Sequence, residues 1–366
     1  MHITKAYSTT PNPSLQILAR KAPIDSYIRL QEKIWQLKWG NTIHVNNQQI
    51  HRQELERPVQ FADIKHPASL KKLNFSRPDD ADIQIFTDGS KTNSNVGSSY
   101  VVYRDNVETA SGQFKLGAGC TAFQAEMYAI KMAIAWSDSN YTNTKVSIIS
   151  DSQSSIALLN SQASHPISAS IHDIINNSNN IYHVSWTRAH QGTLGNERAD
   201  ILAKTASEDD NLRICYNSPT IKTIKNMLWK DLLQQWQHDW NTLNHPITHK
   251  FIPNIELFLS NNWYKPCHRM SQFLTNHGRF QSYLARFIGA ANSDCPLCGV
   301  DDSSDHYIFN CPMLDHERHF LRSSMEAHGY RWPNESHGIL DNKDAYEALT
   351  RLISAYFYRT TVPGYK

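Results

Sequence analysis

The 366-residue sequence predicts an α/β fold, a mixed five-stranded sheet with helices on its faces, set between mostly helical flanks. Three observations predict it. Residues 80–208 pass through strand-like and helical runs in the order β-β-β-α-β-α-α-β-α. Carboxylates stand directly after two of those strand runs, at Asp88 and Asp151. On either side of the interval, apolar residues recur at helical rather than alternating spacing.

Composition narrows the class of function. At 40% apolar and 19% charged residues the chain reads as globular, and a formal net charge of +2 announces no basic field for nucleic acid. No apolar run approaches the ~18–20 residues of a membrane span. The start, Met-His-Ile-Thr-Lys-Ala-Tyr, has no apolar signal core, so an intracellular, reducing compartment is expected. In such a compartment the six cysteines are not expected to form disulfides.

Residues 1–78 read as a helical segment punctuated by Pro11, Pro13, Pro23 and Pro58, with Ile24, Ile28, Trp35 and Trp39 as a stripe that needs a partner surface. Residues 80–208 form the next domain. Asp82–Asp88 alternates and stops at Asp88-Gly89-Ser90, so a strand delivers a carboxylate to its C-terminal end. Ser98–Tyr103 and Val107–Phe114 follow, joined at Arg104-Asp105-Asn106, as an antiparallel meander. In the helical run Thr121–Asp138, Ala122, Ala125, Ala129, Ile130, Ala133 and Ile134 mark the buried face, and Glu126 shares it. An isolated charge there costs several kcal/mol, on the order of a buried unpaired ion, so Glu126 must be paired or bound to a cation. Lys145–Ser150 is a buried-type strand; Asp151 follows, either as a functional carboxylate, as the N-cap of the next helix, or as both. A helix over Ile167–Asn176 precedes the last strand, Ile181–Trp186.

Asp209–Pro219 reads as a linker into a helical region, residues 218–366. Its opening stripe, Ile221, Ile224, Leu228, Leu232, Trp236, Trp240 and Leu243, reads as packing surface. Cys295, Cys298, His306 and Cys311 then show the spacing Cys-x2-Cys-x7-His-x4-Cys, which suits tetrahedral Zn²⁺. His316 and His319 are spare candidates, and Asp344–Tyr358 is a last amphipathic packing helix.

The run Trp186–Asp200, with Trp-x3-His-x-Gly-x2-Gly-Asn-Glu-x-Ala-Asp intact, resembles the last block of type 1 ribonuclease H domains. Ser14–Asp25 resembles the segment that follows the reverse transcriptase in non-LTR retrotransposon polyproteins. The stretch through Cys311 is similar to the tail of R1- and Jockey-like ones. The resemblance implies a ribonuclease H fold and hydrolysis of the RNA strand of RNA–DNA hybrids. It makes Asp88 a ligand shared by two Mg²⁺ ions (Mn²⁺ substituting), with Glu126 and Asp151 completing one site and Asp200 the other. His190 would assist proton transfer or product release, while Gly89, Ser90, Gln153 and Asn196 would meet the substrate.

The chemistry is consistent with that implication. Two unit charges ~4 Å apart repel by ~4 kcal/mol at an effective dielectric of 20, which hard divalent cations relieve. One departure stands out: no Lys or Arg lies between Lys145 and Arg188, so the basic helix of many cellular members is missing. Other parts of the chain, or a reverse transcriptase domain or subunit, are then expected to hold the hybrid. Two other classes compete. A catalytically silent nucleic-acid-binding remnant is disfavoured by the intact acidic set. A DDE-type transposase of the same fold is disfavoured by the helical Glu126 and the His190 loop.

Overall fold

The computed structural model describes all residues except 1–2, 46–47, 61–64, 67–68, 72, 79, 93–94, 162–164, 190–191, 244–245 and 362–366, and the side chains of 48 and 246. The chain divides into two compact units, residues 34–227 and residues 1–33 with 228–366.

Helices α1 (Asn12–Leu18) and α2 (Ile24–Lys38) open the chain. In α2 the buried residues are Leu30, Ile34 and Leu37, while Ile24, Ile28, Trp35 and Trp39 lie exposed, Trp39 at 72%. Two stripes therefore share the 3.6-residue period, and the bulkier one is the solvent face among the described residues. The helical reading of residues 1–78 ends at Lys38. Beyond it β1 (Ile43–Val45) pairs antiparallel with β2 (Gln48–Ile50), because Ile43, Val45 and Ile50 alternate and are buried together.

The sheet of residues 34–227 is built from β3 (Ile83–Thr92), β4 (Asn95–Arg104), β5 (Val107–Leu116), β6 (Lys145–Ser150), β7 (Ile181–Trp186) and β8 (Ile214–Tyr216), in the order β7-β6-β3-β4-β5-β8. The first three form the antiparallel meander, while β6 runs parallel to β3, and β7 to β6. Asp105 and Asn106, both at positive φ, make the two-residue turn that matches strand twist. The intervening helices are α3 (Ala122–Asn140), α4 (Gln153–Ser161), α5 (Pro166–Asn177) and α6 (Leu194–Glu208), while α7 (Ile221–Thr242) follows β8. Strand alternation sorts them into layers. Ile85, Val102, Ile148 and Val184 pack with Ile130, Ile134 and Ile171 on one face; Phe86, Val101 and Ile149 pack with Ala199 and Leu202 on the other.

The five expected strands are present, and the stretch read as a linker supplies a sixth: β8 pairs in parallel with β5. Residues ahead of 80 are also built in. Leu73 joins the larger core, Asn74 bridges to His183 on β7, and Glu56 accepts hydrogen bonds from Gln124 (2.8 Å) and Tyr216 (2.9 Å).

The other unit is helical: α8 (Pro246–Phe251), α9 (Ile255–Ser260), α10 (His268–Thr275), α11 (Gln281–Ile288), α12 (Ser304–Phe309), α13 (Asp315–Ala327), α14 (Gly338–Asp341) and α15 (Lys343–Thr361). Its core is aromatic, with Phe273 set edge-on to Phe280 (5.2 Å) and Tyr356 (5.1 Å). The stripe expected for packing is buried at Ile224, Leu228, Leu232, Trp236 and Trp240. Among the described residues no helix is long and apolar enough to cross a membrane.

Candidate active site

Asp88 lies in the middle of β3, not at its end as the alternation suggests. The antiparallel ladder to β4 continues past it to Thr92↔Asn95, whereas the parallel ladder to β6 stops at Thr87↔Ser150. Asp88 is thus the first residue beyond the parallel part of the sheet, and Asp151 is the first beyond β6. The N-cap reading of Asp151 does not hold. Helix α4 starts at Gln153, and the Ser152 hydroxyl accepts from the Ser155 N–H at 3.4 Å, which leaves the Asp151 carboxylate free of that task. Glu126 projects from the first turns of α3, whose N-terminus is closed by a Thr121–Gln124 capping box. Gly89 makes room for it: a Cβ there would stand 2.3 Å from the Glu126 backbone nitrogen.

The three carboxylates converge, with one oxygen from each of Asp88, Glu126 and Asp151 lying within 4.8 Å of the others. Burial, then the charges of Asp151 and Asp200, raises Asp88 from 3.8 to about 7. Burial, then the charge of Asp88, raises Glu126 from 4.5 to about 9, and its Oε2 is buried without a hydrogen-bond partner. Such a site suits a hard divalent cation, which would partner the orphaned oxygen and relieve the repulsion.

Asp200 stands outside that triad. It lies on α6, near enough to raise Asp88 and Glu126, but its own carboxylate is bonded to Lys204 at 2.7 Å. Lys204 escaped the sequence reading, although its position four residues after an aspartate on a helix was a usable signal. Asn196 donates to Asp151 at 3.4 Å and leaves its own Oδ1 buried and unpartnered. Trp186 Nε1 donates to the Asp151 carbonyl at 3.0 Å. Gln153 is exposed beside a shallow cleft of about 250 Å³, shared with Phe75, Ile156, Ala157, Asn160 and Trp186. Ser90 follows Gly89 on β3 and is half-buried. His190 lies outside the described residues.

Residues 80–208 match the RNase H family. This segment is a ribonuclease H domain. Three curated relatives belong to R1 retrotransposable elements. The putative 115 kDa protein of element R1DM from Drosophila melanogaster is 30% identical over 140 residues, covering 37% of this chain and 13% of that protein. The Pol polyprotein of R1 4 from Nasonia vitripennis is 25% identical over 118 residues, 32% of this chain and 30% of that one. The R1 Pol polyprotein from Popillia japonica is 31% identical over 100 residues, 27% of this chain and 39% of that one. The match thus spans well under half of each relative's length. Among solved structures, RNase H1 of the archaeon Halobacterium salinarum aligns at 19% identity and a TM-score of 0.30, covering 34% of this chain and 96% of that one.

A second cluster lies well beyond the ribonuclease H domain in sequence. Cys295, Cys298, His306 and Cys311 offer ligand atoms all within 4.8 Å of one another. A tight turn positions the first two: Gly299, at φ +63°, and Cys298 both donate their N–H groups to the Cys295 carbonyl. Helix α12, capped by Ser303, carries His306, and Cys311 follows its end with its N–H on the His306 carbonyl at 2.8 Å. His306 Nε2 is buried and unpartnered, and burial lowers the ring's pKa, which keeps it in the neutral form that ligates metal. Burial pushes Cys311 up to about 12 as a free thiol. The buried Arg318 guanidinium bonds the carbonyls of Tyr307, Ile308 and Cys311 around the cluster. Donor set and orphaned nitrogen fit a structural Zn²⁺.

Proposed function

We propose that the ribonuclease H domain cuts the RNA strand of RNA–DNA hybrids endonucleolytically, as part of, or derived from, an R1-like retrotransposon product. The observation that carries this reading is the convergence of Asp88, Glu126 and Asp151 around a buried carboxylate oxygen with no partner. Asp88, Glu126 and Asp151 would hold one Mg²⁺, and Asp88 with Asp200 a second. Bound there, the ions supply an activated water and charge stabilisation for the leaving 3′ oxygen in an in-line displacement.

The chain's own residues do the positioning. β3 and α3 hold Asp88 and Glu126 face to face, with Gly89 as the clearance between them. Asn196 and Trp186 fix the Asp151 carboxylate and backbone. Lys204, bonded to Asp200 at 2.7 Å, would release that carboxylate to the second ion. His190 would assist proton transfer or release of the product phosphate. Ser90 and Gln153 would meet the strand, whose 2′-hydroxyls in a wide minor groove distinguish RNA from DNA. Because no Lys or Arg lies between Lys145 and Arg188, the hybrid's phosphates are held elsewhere in the chain or by a reverse transcriptase domain or subunit. Cys295, Cys298, His306 and Cys311 take one structural Zn²⁺.

The test is cleavage of a labelled RNA–DNA hybrid beside dsDNA, dsRNA and single-strand controls, with Mg²⁺ or Mn²⁺. Only the RNA strand should be cut, leaving 5′-phosphate and 3′-hydroxyl ends, and EDTA should abolish it. Cleavage of the DNA strand, or indifference to EDTA, overturns the assignment.

A further inference from the structure

Strand β4 carries two adjacent serines, Ser98 and Ser99, both fully buried near the centre of the sheet. Adjacent strand residues point to opposite faces, so the two hydroxyls reach different helices. Ser98 Oγ donates to the Ala125 carbonyl of α3 at 2.8 Å; Ser99 Oγ donates to the Ala199 carbonyl of α6 at 2.6 Å. Each acceptor is the residue immediately before an acidic one: Glu126 follows Ala125, and Asp200 follows Ala199.

The donors are tied to the third acid by the ladder. Ser99 is the cross-strand partner of Asp88, and Ser98 that of Gly89. Backbone clearance agrees on both faces. Gly89 admits the Ala125–Glu126 backbone, and a Cβ at Gly97 would stand 2.1 Å from the Ala203 carbonyl of α6. Where Gly89 and Gly97 let the α3 and α6 backbones approach the strands, no side chain interlocks to fix the local position along the helix axis, where one residue is a step of ~1.5 Å. A hydroxyl bonded to a particular helix carbonyl, which has a second lone pair to accept it, removes that freedom.

Among the described residues, other buried serines do not do this. Ser147 on β6 has no partner for its hydroxyl, and Ser137 bonds the Ile134 carbonyl of its own helix. We propose that Ser98 and Ser99 are positioning residues: one sets Glu126, the other Asp200, against Asp88, so that the metal-binding geometry is read off a single strand pair. The inference rests on the nuclease reading above.

The experiment uses the full chain with Ser98→Ala and Ser99→Ala, and Ser147→Ala as the control for deleting a buried hydroxyl. Mn²⁺ affinity is read by electron paramagnetic resonance, kcat and KM on the hybrid, and Tm by melting. Ser98→Ala should weaken the Mn²⁺ site of Asp88, Glu126 and Asp151 and lower kcat, each roughly three- to tenfold, the loss of one buried hydrogen bond, with KM for the hybrid unchanged. Ser99→Ala should spare that Mn²⁺ site, lower kcat by a similar factor and raise the Mn²⁺ needed for half-maximal cleavage. Ser147→Ala should change none of these. If either alanine variant fails to fold, Ser→Cys at that position, close in volume with a weaker donor, carries the same readouts. Variants that match Ser147→Ala in Mn²⁺ affinity and kcat overturn the inference and leave the nuclease reading standing. A parent chain that neither binds Mn²⁺ nor cuts the hybrid overturns both.

Discussion

Asp88→Asn should stabilise the metal-free protein. Folding raises the Asp88 carboxyl from 3.8 to about 7, chiefly by burial and then by the charges of Asp151 and Asp200. The folded state therefore binds this proton more tightly than the unfolded chain. The associated stability is fully present below pH 3.8 and is lost as pH rises to about 7. Above that, the folded protein carries the whole cost of an ionised, crowded carboxylate, ~4 kcal/mol at 1.36 kcal/mol per pH unit. Glu126 is raised in part by repulsion from Asp88, so the two costs overlap and do not add. An amide of the same shape removes the charge. In EDTA at pH 8, Asp88→Asn should melt above the parent by roughly 8–16 °C, taking ~2–4 °C per kcal/mol. Near pH 4 the two should converge. Mg²⁺ should raise the parent's Tm and leave the variant's nearly unchanged, because the cation neutralises the charge that the variant lacks. Calorimetric scans from pH 4 to 8, with EDTA and with Mg²⁺, decide it. Equal melting in EDTA across that range, or a parent more stable at pH 8, would mean the carboxylates are well solvated and the argument for a bound cation fails.

Other perturbations have defined outcomes. Asp88→Asn and Asp151→Asn should abolish hybrid cleavage while hybrid binding survives, whereas His190→Ala should slow turnover without stopping it; full activity in Asp151→Asn would show the metal site misassigned. Lys204→Ala removes a cation bonded to Asp200 and should tighten Mn²⁺ binding by roughly two- to fivefold, the range of a surface ion pair, measured by the same resonance titration. Purified protein should contain about one Zn²⁺ per chain by native mass spectrometry, and Cys298→Ser should expose residues 290–312 to protease without removing an acidic ligand. A 34–227 fragment should outlast one of 80–208 on heating, since the shorter piece lacks Leu73, Glu56 and β8 and leaves core surface uncovered.

Across residues 80–208 the sequence by itself determined the order of the main strands and helices and the candidate acids, and further on the cysteine–histidine spacing. Those are local properties. Period-2 and period-3.6 patterns are written in neighbouring residues, and Glu126 on an alanine-rich face signals an unmet electrostatic need before any fold is known. What only the tertiary structure decided depended on which surfaces meet. Asp88 sits mid-strand because its antiparallel partner extends further than its parallel one, a difference between two neighbours that one strand's pattern does not contain. Helix α2 buries Leu30, Ile34 and Leu37 rather than its tryptophans, since both stripes satisfy the helical period and only packing chooses between them. Asp151 is released from capping by Ser152, a choice set by where α4 begins. Glu56, Leu73 and β8 joined the ribonuclease H unit through contacts between residues as far as 160 positions apart, Glu56 to Tyr216, for which no local periodicity exists. The pairing of Ser98 and Ser99 with the carbonyls ahead of Glu126 and Asp200 belongs to the same class: two small polar residues in a strand read as unremarkable until the helices on either face are in place.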